Sequence, residues 1–92
     1  MTGQLTARCR QSTGGVSEIE ILDINEAGCL VHKGRMRMAN GDRLLIKLPG
    51  LEHMAAYVAW VEDEQAGFTF EQPLYGPVLR HLLERLGEQN AA

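Results

Sequence analysis

The chain of 92 residues has two cysteines, two serines, three histidines, no surplus of positive charge and no long apolar run. Each shortage excludes something. No apolar stretch approaches the roughly twenty residues that cross a bilayer, so membrane insertion is not expected. The leading residues carry Arg8 and Arg10 but lack the apolar core of a signal peptide, which points to a cytoplasmic protein. In that compartment Cys9 and Cys29 are expected as reduced thiols serving as small, half-buried strand residues. Ser12 and Ser17 lie in no nucleophile elbow, and neither cysteine has an activating partner nearby in sequence, so an enzyme is not expected. His32, His53 and His81 are scattered, with no cysteine or carboxylate at metal-binding spacing. The net charge of −3 argues against DNA or RNA, whose phosphates demand a cationic surplus.

What is present is an ordinary globular apolar fraction of 45%, enough for one small domain over residues 1–87, with residues 88–92 as a loose tail. Charge is unevenly spread. Residues 1–47 hold seven basic groups against five acidic, and residues 48–92 hold two against seven.

The dominant hydrophobic period is two. Residues 6–10 form a short strand closed by the Gln11-Ser12-Thr13-Gly14-Gly15 turn. Ile19 and Ile21 alternate with Glu18 and Glu20, and the phase then slips at Leu22 and Ile24, which a bulge or strand end would accommodate. Cys29 restarts an extended run to His32. Asn40-Gly41-Asp42 is the strongest hairpin signal, ahead of Leu44, Ile46 and Leu48 in alternation. Met54, Ala56, Val58 and Trp60 set one face of the longest strand, so Trp60 is expected in the core and Tyr57 on the opposite face. The acidic tip Glu62-Asp63-Glu64 reverses the chain, and Ala66, Phe68 and Phe70 point back inward. Five or six such strands suit a small barrel or sandwich.

After Pro73 the period becomes 3.6. Pro77 fits the first helical turn, Leu79, Leu82, Leu83 and Leu86 form an apolar stripe, and Gly87 stands where a C-terminal cap is expected. So short a helix must dock on the sheet or on a partner.

Between the second and third strands lies Asp23-Ile24-Asn25-Glu26-Ala27-Gly28. Asp and Asn two apart can project to one side of an extended backbone, and the glycine permits a positive φ or a close approach. Such a turn either closes a hairpin or holds a polar ligand. It also opens like a calcium-binding loop, but Ala27 and Gly34 occupy two positions that would need oxygen ligands.

The ordered series of residues 21–29, Gly41-Asp42-Arg43-Leu44, Lys47-Leu48-Pro49-Gly50, Val58-Ala59-Trp60-Val61, Ala66-Gly67-Phe68-Thr69-Phe70 and Pro73-Leu74 resembles a PilZ domain over nearly the whole chain. The resemblance implies an all-β fold, a six-stranded antiparallel PilZ-type β-barrel with a short C-terminal α-helix, and a bacterial second-messenger signalling role as a receptor for cyclic di-GMP. Members that bind the dinucleotide use an Arg-x-x-x-Arg pair before the first strand and an Asp/Asn-x-Ser-x-x-Gly turn. Guanidinium groups pair bidentately with phosphates and guanine edges, and the turn's carboxylate accepts from the guanine ring. Here Asp23 and Gly28 match the turn, Asn25 replaces the serine, and the Arg-x-x-x-Arg pair is absent. The residues that remain for cyclic di-GMP are Arg8, Arg10, Asp23, Asn25 and Gly28, with the cluster Arg35, Arg37 and Arg43 as substitute cations. These departures imply that nucleotide binding is weakened or lost. The alternative is a nucleotide-independent adaptor that binds a protein partner through the helix face or an open barrel edge.

Overall fold

A computed structural model describes residues 5–12 and 14–90, with side chains through residue 86. Strands β1 (Thr6–Gln11), β2 (Val16–Ile24), β3 (Gly28–His32), β4 (Arg43–Lys47), β5 (Met54–Glu62) and β6 (Gln65–Phe70) precede one helix, α1 (Gly76–Asn90). All neighbouring strands are antiparallel, and the ladder closes in the order β1-β2-β3-β6-β5-β4, with β4 returning to β1 through pairs such as Arg8 with Lys47 and Cys9 with Ile46. Closure removes the sheet edges, so the open edge that an adaptor was expected to offer is not there.

The alternating residues fill the barrel as their period requires. Ala7, Cys9, Ile19, Ile21, Val31, Leu44, Ile46, Ala56, Val58, Phe68 and Phe70 all point inward, and no polar or charged residue is buried among the described residues. The phase slip at Leu22 is a bulge, where the β2–β3 register shifts between Ile21 and Asp23, so that Ile24 returns to the core. Both cysteines are buried and free. Desolvation pushes the Cys9 thiol up to about 11 and the Cys29 thiol up to about 12, the latter also raised by the charge of Cys9.

Four local expectations are revised. The Asn40-Gly41-Asp42 turn forms, with the Asp42 amide donating to the Ala39 carbonyl at 3.0 Å and an Asp42 oxygen accepting from the Ala39 amide at 2.9 Å, but it joins no hairpin. Residues 33–39 before it are irregular, and Met36 and Met38 pack on the core without a ladder. Trp60 does not fill the barrel. The β5–β6 register shifts between Val58 and Trp60, so the extra residue Ala59 turns the indole outward, where it is 42% exposed. Helix α1 runs through Gly87, where a cap was expected, to Asn90, overlapping the expected tail; residues 91 and 92 of that tail, and Thr13 of the first turn, lie outside the described residues. The helix docks against β2 through Leu82 and Leu86, while Leu83, expected in the buried stripe, faces solvent. No described helix is long and apolar enough to cross a membrane.

Candidate ligand-binding site

The segment 23–28 folds as a tight turn held by its own amide side chain. Asn25 Oδ1 accepts from the Ala27 amide at 2.8 Å and the Gly28 amide at 3.0 Å, and the Asn25 amide donates to the Gly28 carbonyl at 2.9 Å. This is the local work an Asx turn does, which a serine hydroxyl does more weakly. The turn in turn fastens the exit of β6, because the Phe70 amide donates to the Ala27 carbonyl at 2.7 Å and the Leu74 amide to the Glu26 carbonyl at 2.9 Å. Gly28 has a different task from the one its sequence suggests. A Cβ there would collide with the Phe68 carbonyl oxygen and stand 3.0 Å from its carbon and 3.2 Å from Thr69 Cα. The glycine is required here by the close approach of strand β6.

Beside this turn is an open hollow of about 270 Å³, lined by Asp23, Asn25, Ala27 and Gly28 of the turn, Leu30 of β3, and Ala59, Trp60 and Thr69 of β5 and β6. Pockets for drug-sized molecules run to roughly 300–1,000 Å³, so the hollow itself has room for about one planar base, and anything larger would extend over the open surface around it. Trp60 forms a wall because Gly67 lies under it: a Cβ at Gly67 would fall within 2.6 Å of indole Cε2 and 2.9 Å of Cδ1. The indole thus occupies the slot left by a missing side chain. Asp23 Oδ1 accepts from the Ile24 amide at 2.9 Å, and the carboxylate remains exposed toward the hollow. The hollow can accept hydrogen bonds from a base edge and offer an aromatic wall.

No lysine or arginine lines it. Arg8 and Arg10 are on the outer face of β1, opposite Lys47 and Leu45 of β4. In the closed strand order the β1–β4 seam lies directly across the barrel from the β3–β6 seam that carries the hollow. Arg43 lines a groove with Arg10, Gln11 and Ser12 on one flank, and on the other it is opposite Tyr57 of β5, which is itself opposite Thr69 of the hollow. Its Nε and Nη2 donate to the two Glu71 oxygens, each at 3.3 Å, and Tyr57 donates to Glu71 Oε1 at 2.9 Å. The hydrogen bond from Arg43, then that from Tyr57, holds the Glu71 carboxyl below its usual range, and the Glu71 contact raises Arg43. Arg35 and Arg37 are exposed in the connection between β3 and β4. The structure therefore brings together Asp23, Asn25 and Gly28, and none of the five arginines lines their hollow; Arg43, two strands from Thr69, comes nearest in the strand order.

Two residues of the hollow escape sequence reasoning. Thr69 could have been found from its outward place between Phe68 and Phe70. For Trp60 the available signal was Gly67, a residue with no side chain in an otherwise well-packed strand.

No family model matches the chain, and no curated protein sequence does. A solved structure does: the crystal structure of the PilZ domain of CeSA from a cellulose-synthesizing bacterium superposes with a TM-score of 0.62, covering 94% of this chain and 91% of that one at 12% identity. The fold is that of a PilZ domain. At so low an identity the shared signal is the ordered series of strands and turns, which a barrel of this topology needs whatever it binds.

Proposed function

We propose that this PilZ-like domain is a cytoplasmic signalling module of the cyclic di-GMP receptor type, a binding domain and not an enzyme, whose affinity for the dinucleotide is strongly reduced. The observation that carries this reading is that no lysine or arginine lines the hollow beside Asp23 and Asn25, while Arg8 and Arg10 stand on the seam across the barrel from it. The turn and Trp60 can meet a guanine base, but two phosphates would find no cation there. Bidentate charged contacts are worth about 1.5–3 kcal/mol each, so loss of two weakens binding by about a hundredfold or more.

Isothermal titration with cyclic di-GMP tests this. Half-saturation is expected above about 100 µM, with the residual heat lost in Asp23→Ala and unchanged in Arg8→Ala/Arg10→Ala. Low-micromolar binding that disappears in Arg8→Ala/Arg10→Ala would overturn the reading, because it would make those arginines ligands.

The adaptor reading is favoured by a second observation. An open, largely apolar groove of about 300 Å³ runs between Leu51 in the β4–β5 connection and Val78 and Leu82 of α1, beside Tyr75, which is 73% exposed. A partner that binds there would be lost with Tyr75→Ser/Val78→Ser and kept in Asp23→Ala; the opposite pattern in a binding assay would reject this groove.

A further inference from the structure

The end of the barrel that carries the β1–β2 turn, the β3–β4 connection and the β5–β6 turn is electrically bipolar. On one side stand Arg10, Arg35 and Arg37; on the other stand Glu62, Asp63 and Glu64, all exposed. The basic side is one surface, because the Gln11 side-chain amide donates to the Arg37 carbonyl and so ties the connection to the end of β1. The acidic side is a hairpin tip shaped by Asp63, whose φ of 54° turns the chain sharply.

Among the described residues most of this charge is unpaired within one copy. Among the described residues the ion pairs are His32 with Glu64 and Arg43 with Glu71, so none of Arg10, Arg35, Arg37, Glu62 or Asp63 has a partner of opposite charge. The poles are also close neighbours, since the Lys33 amide donates to the Glu64 carbonyl at 2.8 Å. A polyanion laid on the basic side would therefore meet the acidic tip and be repelled. A second copy of this chain meets no such conflict.

We infer that this end is a self-association face, on which the acidic β5–β6 tip of each copy sits against the basic β3–β4 connection of the other. Because both poles lie at the same end, a single two-fold axis across that end makes both contacts at once and closes the assembly as a dimer, with no open filament. Val16, 48% exposed at the start of β2, and Val61, 37% exposed beside the tip, supply apolar area at the same end. Charge sets the pairing and these valines add desolvated contact. The inference does not depend on the nucleotide reading, which concerns the side wall of the barrel.

Sedimentation velocity on the whole chain tests it. A concentration-dependent dimer is expected in roughly 0.05 M salt, with its dissociation constant raised at least about tenfold in roughly 0.5 M salt, where the screening length falls to a few ångströms. Arg35→Glu/Arg37→Glu and Glu62→Lys/Glu64→Lys should each be monomeric alone and should form a dimer when mixed, since reversal on each partner restores both contacts. The neutral variant Arg35→Gln/Arg37→Gln should weaken the dimer without creating repulsion, and circular dichroism identifies any variant that has lost the fold. A wild-type monomer at about 0.5 mM in low salt would overturn the inference. So would a dimer that neither salt nor charge reversal weakens, or folded reversal variants that fail to pair on mixing.

Discussion

Replacing Gly28 with alanine should unfold this domain far more readily than its position at the end of a turn in the sequence suggests. The new methyl would be driven into the Phe68 carbonyl oxygen, with the carbonyl carbon 3.0 Å away and Thr69 Cα 3.2 Å away. All three atoms belong to the backbone of β6, paired to β3 through Gly28 with Thr69 and Cys29 with Phe68, so relief requires two strands to part. Overpacking typically costs 1–3 kcal/mol, and a backbone obstacle places this case at about 3 kcal/mol or above. For a domain of this size each kcal/mol lowers Tm by about 4–8 °C, so a fall of roughly 12–24 °C is expected in a thermal melt followed by circular dichroism without ligand. Gly67→Ala is the control. Its methyl would meet Trp60, whose partly exposed indole can swing aside, so the expected cost is about 1 kcal/mol with a marked change in tryptophan fluorescence. A Gly28→Ala variant that melts within about 3 °C of wild type, or a Gly67→Ala variant that is the worse of the two, would refute this backbone clash.

Asn25→Ala should cost about 1 kcal/mol in urea unfolding by stripping two amides of their acceptor, whereas Asn25→Asp, which keeps the oxygen, should stay near wild type. Glu71 has a folded pKa depressed by its hydrogen bonds to Arg43 and Tyr57, so its contribution is present above its ordinary value of 4.5 and is lost as pH falls through the lower folded value. Glu71→Gln should therefore flatten the acid side of a Tm-against-pH curve while leaving its neutral-to-alkaline side parallel to wild type. Cys9 and Cys29, raised to about 11 and about 12 by burial, should resist a thiol reagent at neutral pH and react together once denaturant is added. Rapid labelling of either in the native protein would contradict their placement.

Much of the barrel could be read from residue order, because its strands obey the simplest periodic rule. Ile19 with Ile21, and Leu44 with Ile46, alternate and are buried as that alternation requires. The slip at Leu22 called for a bulge or a strand end, and it is a bulge, since Ile24 cannot share the inward face of Ile19 and Ile21 without one. The Trp60 bulge gave no such warning. Every residue from Met54 to Val61 except Tyr57 is small or apolar enough for either face, so an inserted residue at Ala59 leaves the pattern looking unbroken. The site was legible only in halves. Local chemistry identified the Asp23–Asn25 turn, but whether the arginines join it depends on which strands are neighbours around a closed ring, and no local window holds that information. Gly28 shows the same limit, since its reason for being glycine is the carbonyl of a strand far along the chain.

The closed ring also governs how the chain can be made. Strand β1 leaves the ribosome first and can zip to β2 and then to β4, while β3 and β5 must wait for β6 to bridge them. Until Phe70 has emerged the nascent chain is a torn sheet with two exposed edges, prone to stick to its neighbours. Every seam but β1–β2, β2–β3, β4–β5 and β5–β6 joins strands distant in sequence, which slows folding relative to a helical domain of equal length. Chains cut short before β6 should aggregate on synthesis, and those cut after Phe70 should be soluble enough to show a collapsed barrel by light scattering and circular dichroism. The last strand to be synthesised is thus the clasp of the whole domain.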